Sequence, residues 1–121
     1  MKLDEFFAYL ADEPGWSGLA SVNITSRDAA GDTPLHAALW AHDDEAARAL
    51  VDAGADVNAV GEEGYSPLHV AVAQRNAPMA SYLAKRGASW DTPSECGASA
   101  RDNALASDDP NVRSLVKSLG E

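Results

Sequence analysis

The chain has 121 residues, 45% hydrophobic and 23% charged, with 9 glycines and 6 prolines, which is the content of one ordinary domain able to bury a core. The net charge of −10 falls entirely in one half: residues 1–63 hold 13 acidic and three basic residues, and residues 64–121 hold six of each. A nucleic-acid backbone or an anionic membrane surface would be repelled by that first half, so neither is an expected partner.

The start, Met1-Lys2-Leu3-Asp4-Glu5, is acidic where a secretory signal would be basic, and the chain is expected to be soluble and cytoplasmic. Leu3, Phe6, Phe7 and Leu10 then form a helical stripe that Pro14-Gly15 breaks. Trp16, Leu19 and Ala20 read as a second short helix, so residues 1–27 are expected to be an N-terminal helical cap. Val22-Asn23-Ile24 leads into the first turn as Asp56-Val57-Asn58 leads into the second.

From there the chain repeats. Gly31-Asp32-Thr33-Pro34-Leu35-His36-Ala37-Ala38 returns 33 residues later as Gly64-Tyr65-Ser66-Pro67-Leu68-His69-Val70-Ala71. Thr33 and Ser66 are predicted N-caps, and Pro34 and Pro67 take the first helical position, where a missing N–H costs nothing. Leu35, Ala38 and Leu39 recur at helical spacing, as do Leu68, Ala71 and Val72. A second helix carries Ala46, Ala49 and Leu50 in one unit and Met79, Tyr82 and Leu83 in the next, each closed by a glycine, Gly54 or Gly87. The spacing predicts helices over 34–41 and 44–52, then over 67–74 and 77–85, within units 28–60 and 61–93. A fainter copy begins at Gly97-Ala98-Ser99-Ala100 and keeps Val112 and Val116 in register with Met79 and Leu83. Residues 94–121 therefore read as a degenerate C-terminal capping repeat, because such arrays need a polar outer end; an unrelated helical tail is the alternative.

On these residues the sequence resembles the ankyrin repeat family over about residues 22–119. Thr33-Pro34-Leu35-His36 with Gly54-Ala55-Asp56-Val57-Asn58-Ala59 is a near-full match, and Ser66-Pro67-Leu68-His69 with Gly87-Ala88 is a good one. Ala100, Arg101 and Asp102 depart from the pattern in the third copy. The resemblance implies an all-α ankyrin-repeat solenoid of helix-turn-helix units joined by short hairpin-like β-turns, with two clear repeats between degenerate caps. It also implies protein binding through the turn tips and the exposed side of each unit's first helix.

Chemistry of other kinds finds little support. His36 and His69 hold the same repeat position, where the family's histidines hydrogen-bond the neighbouring turn, so they are read as structural. His42-Asp43-Asp44-Glu45 is consecutive and sits at a helix start, where carboxylates meet free N–H groups and the helix dipole. A single cysteine, Cys96, excludes an internal disulfide and a four-cysteine metal site. Gly15-Trp16-Ser17-Gly18 has the wrong spacing for a nucleophile elbow, and no phosphate-binding loop is present. No catalytic residue, metal or cofactor is expected, nor a small-molecule substrate.

Five residues are candidate partner-binding residues. Trp40 follows Leu39 at a commonly exposed position, and Tyr65 follows the turn glycine; exposed aromatics of this kind are typical interface anchors. Asp32, Glu62 and Glu63 are expected beside them at the turn tips. Trp90 stands where the first repeat has Val57 and is assigned to packing. The expected function is non-catalytic binding of a basic protein, in the manner of an immunity-type inhibitor of a toxic enzyme. A general adaptor or assembly subunit is the alternative, and a metal- or histidine-dependent enzyme a third. High Ala, Gly and Asp content points to a GC-rich prokaryotic source.

Overall fold

The computed structural model describes residues 3–16 and 22–117. Within them lie α1 (Leu3–Ala11), α2 (Pro34–Trp40), α3 (Asp44–Asp52), α4 (Pro67–Ala73), α5 (Ala77–Lys85), α6 (Ala100–Ala106) and α7 (Pro110–Lys117), with 3-10 turns at Pro14–Trp16 and Glu62–Gly64. Among the described residues the β-structure is one isolated antiparallel bridge, Pro93 to Ser99, inside a turn. Among the described residues the fold is an all-α solenoid of stacked helix pairs, as the resemblance implies.

Each unit starts the same way. Thr33, Ser66 and Ser99 adopt extended backbone and accept the N–H of the residue three on, at 3.4, 3.3 and 3.1 Å. The residue at that third position returns the bond with its own side chain, completing a capping box built on His36, His69 and Asp102 in turn. The second helix of a unit begins on Asp43 or Asn76, whose side chains accept the N–H of Ala46 and Met79 at 3.0 and 3.2 Å. His42-Asp43-Asp44-Glu45 is thus a helix start, with Asp44 and Glu45 in the first turn facing the positive dipole end.

The first helices stop one residue earlier than the spacing suggests, at Trp40 and Ala73. Ala41 and Gln74 close them, and His42 and Arg75 then turn left-handed at φ 58° and 56°. An L side chain is strained in that region, so the bend to the second helix sets the boundary rather than the apolar pattern.

The helices form two layers. In one, α2 packs on α4 and α4 on α6; each is backed by its own second helix, with α5 against α7 and α1 against α3. Leu35, Ala38, Leu50, Leu68, Ala71 and Leu83 are all at most 1% exposed, and Val112 and Val116 extend the same rows. Each such leucine contributes about 1.5–3 kcal/mol of transfer free energy. Trp90 is buried as its packing assignment requires, with its indole N–H unpartnered. Between α3 and α5, the Tyr82 ring lies 4.7 Å from the Arg48 guanidinium and 4.9 Å from that of Arg86. The Tyr82 hydroxyl donates to Asp52 at 2.8 Å, which, ahead of Arg86, holds that carboxyl below its ordinary range.

The ends differ from the middle. In the third copy the Leu35–Leu68 row continues as Arg101, which pairs with Asp91 at 2.8 Å, and the Ala37–Val70 row continues as Asn103. Leu105 continues the buried Leu39–Val72 row but stands exposed. At the other end Phe6 and Leu10 are buried and Leu3 and Phe7 partly so, which seats α1 on α3. Trp16 is buried in its 3-10 turn. Leu19 and Ala20, expected to extend that segment, lie outside the described residues, as do Met1, Lys2 and residues 118–121.

Candidate functional site

The two histidines fall into place first. The Thr33 N–H and hydroxyl approach Nδ1 of His36 at 3.2 and 2.8 Å, so Nδ1 accepts and the proton sits on Nε2. That Nε2–H donates to the Tyr65 carbonyl of the next unit at 2.8 Å. His69 repeats the arrangement, with Ser66 at Nδ1 and the Ala98 carbonyl 3.1 Å from Nε2. Burial pushes the pKa of His36 below its ordinary value, overriding the Tyr65 carbonyl and Asp32, which act to raise it. Both rings are saturated with turn groups and carry load between repeats.

The turn tips separate the expected residues. Asp32 is a correction: it was expected at an exposed tip, but it is 7% exposed and accepts the Glu62 N–H at 2.8 Å. The cause is Gly61, whose missing side chain lets Asp32 and His36 close on the next turn; a Cβ there would lie 2.9 Å from His36 Nε2. Glu62 and Glu63 are exposed, and Glu63 takes left-handed angles (φ 59°) while its carbonyl accepts the Glu95 N–H at 3.0 Å. Tyr65 is half-buried rather than projecting, because its ring stacks on His69 with centroids 5.5 Å apart and planes 6° off parallel. Glu63, Tyr65, Glu95 and Cys96 line a shallow cavity of about 350 Å³. The Ser94 hydroxyl, 3.1 Å from Sγ, helps hold the Cys96 thiol below its ordinary pKa.

Trp40 lies elsewhere. It is 44% exposed at the end of α2 and lines a second cavity of about 350 Å³ with Tyr9, itself 54% exposed on α1. Glu13 and Asp28 supply carboxylates to its walls, and Ala37 and Ala41 its α2 side. The structure therefore does not bring Trp40 and Tyr65 into one pocket. Tyr9, Glu13 and Asp28 were not singled out from sequence. The signal was present for Tyr9: it falls off the Leu3–Phe6–Phe7–Leu10 stripe, and an aromatic off the buried face of an amphipathic helix points outward. Among the described residues no three His, Cys, Asp or Glu side chains group as metal ligands would.

The family model described as ankyrin repeats (3 copies) matches residues 5–94. This chain belongs to the ankyrin-repeat family. The match reaches into residues 5–27, where no clean copy is visible by eye. Curated relatives include a BRCA1-associated RING domain protein 1 of Caenorhabditis elegans, 34% identical over 88 residues that make up 72% of this chain and 12% of the relative. They also include protein phosphatase 1 regulatory subunit 27 of Homo sapiens and of Mus musculus, each 32% identical over 98 residues, 79% of this chain and 60% of the relative. The chain thus spans about an eighth of the first relative and three-fifths of the other two, less than two-thirds of each. Ankyrin repeats imply a protein–protein interaction module, and a protein is the class of partner they point to. Among the described residues no helix is long and apolar enough to cross a membrane.

Proposed function

We propose that this ankyrin array is a non-catalytic binding protein for a basic protein partner, engaged through the exposed end of α2 and the acidic turn tips. The observation that carries the reading is the placement of Trp40. In its register the next two units have Ala73 and Ala106, so this one large aromatic stands where the repeat itself needs only a methyl group. Exposed indoles of this kind are typical interface anchors. Glu62 and Glu63 serve as a charged rim that speeds encounter with a cationic surface, with Tyr65 beside them. Asp32 acts indirectly, by fixing the Glu62 backbone.

Two forms of the reading differ in what binding achieves. In the first, occupancy restrains an enzyme; the relatives named as regulatory subunits of a protein phosphatase support control of an enzyme by binding, and inhibition of a toxic enzyme is its narrower form. In the second, the chain is an adaptor. A purified partner assayed with and without this chain separates them. The shared claim is tested by association rate against salt: a rise in ionic strength should slow association, because exposed charges are screened over about 8–10 Å. Replacing Glu62 and Glu63 with Gln should flatten that dependence. A partner with an acidic contact surface would contradict the proposal.

A further inference from the structure

The cavity shared by Tyr9 and Trp40 has the composition of a receptor for one particular side chain. Two exposed aromatics from different helices contribute to it, and the polar groups on its walls include two carboxylates, Glu13 and Asp28. Asp28 is held in place. Its Oδ1 accepts the N–H groups of Ala30 and Asp32, both at 2.9 Å. Its Oδ2 is directed toward Gly15 on the cavity wall, where a Cβ on that glycine would come within 3.4 Å. The surrounding half of the chain carries the whole net charge of −10. A neutral apolar anchor would gain from the aromatic rings but would leave the carboxylates without a partner. A phosphate or carboxylate would be repelled. A planar cation fits both features, since guanidinium stacks on an indole or phenol face and also forks onto a carboxylate.

We propose that the Tyr9–Trp40 cavity is a binding site for an arginine side chain presented by a protein partner. This rests on the reading of Trp40 as a partner-binding residue and gives it a chemical identity. Arginine is favoured over lysine because one guanidinium plane satisfies an aromatic face and a carboxylate together, whereas an ammonium is a strongly hydrated point charge.

Three capped tripeptides test it: Gly-Arg-Gly, the same peptide with citrulline, which keeps shape and loses charge, and the same with lysine. Each is titrated into the isotope-labelled intact chain, and the indole N–H resonance of Trp40 is followed. The arginine peptide should move that resonance in a saturable way, with affinity about tenfold or more above citrulline, the factor expected for losing one charge-assisted contact. Trp40→Ala should abolish saturable binding, and Glu13→Gln combined with Asp28→Asn should weaken it; the asparagine keeps the Oδ1 acceptor, so the turn survives. An equal response to citrulline would overturn the proposal, as would the absence of any Trp40 response up to about 10 mM, the weak limit of specific recognition. An equal response to lysine would overturn the assignment to arginine. If these titrations fail while Trp40→Ala still weakens capture of a protein partner, the binding face stands and only the arginine site falls.

Discussion

His36 and Trp40 lie four residues apart on α2, yet the rows they begin follow opposite rules. The first row repeats. His36 and His69 make the same bonds to their own caps and to the next turn, and Asp102 keeps the capping bond in the third copy. The second row does not: Trp40 is followed by Ala73 and Ala106. Stacking similar backbones calls for the same kind of side chain wherever it touches the neighbouring unit, apolar in the core rows and hydrogen-bonding at the caps, so periodicity marks packing. A residue that breaks the period at an exposed position is not required by the stacking, which is why Trp40 is the residue proposed to meet a partner. The contrast also explains why two histidines in register, which on another scaffold would suggest chemistry, are structural.

Perturbing the periodic rows should cost stability, and perturbing Trp40 should not. The largest effect is expected from Leu68→Ala, which empties a fully buried site and should lower unfolding free energy by about 2–5 kcal/mol in a denaturant titration. A loss under about 1 kcal/mol would remove Leu68 from the core. His36→Ala leaves the Tyr65 carbonyl and the Thr33 cap without their partner and should cost about 1–3 kcal/mol. Gly61→Ala should cost a similar amount, about 1–3 kcal/mol, by forcing Asp32 and His36 off the next turn.

The same histidine gives a pH signature. Burial lowers its folded pKa, so the unfolded ring takes up its proton first, near the ordinary value of about 6.5. The stabilisation from keeping the ring neutral is therefore complete above about 6.5 and declines as pH falls from there through the lower folded value. Unfolding free energies measured across that window should fall in the parent more steeply than in His36→Ala; parallel profiles would contradict a buried neutral ring. The smallest effect is a gain. His42→Gly relieves left-handed strain in an exposed connection and should stabilise by up to about 1 kcal/mol, read as a raised melting temperature.

Much of the fold was legible because each repeat states its own boundaries. Proline at the first helical position, Thr or Ser before it and a terminal glycine bracket the two clear units, so their second helices fall where the spacing puts them and their first helices differ by a single residue at the C-terminal end. That residue was set by His42 and Arg75, where the bend imposes a conformation no apolar pattern encodes. The site was less legible. Exposure of Trp40 follows from register, but the burial of Asp32 depends on Gly61 29 residues away, a long-range approach that local spacing cannot show. Tyr65 looked like a free tip because its stacking on His69 is a tertiary contact. The Tyr9–Trp40 cavity joins α2 to α1, a helix from a part of the chain with no visible copy of the unit, so the period could not align the two.

The most direct test of the division between packing rows and the proposed binding residue is Trp40→Ala read two ways on one sample: its melting temperature, and its affinity for the partner once captured. The account predicts a melting temperature within about 2 °C of the parent, the shift that ~0.5 kcal/mol produces in a domain of this size, together with at least a roughly 30-fold loss of affinity, chiefly in the dissociation rate. A variant that melts as early as Leu68→Ala while binding its partner undiminished would place Trp40 among the packing residues and contradict the account.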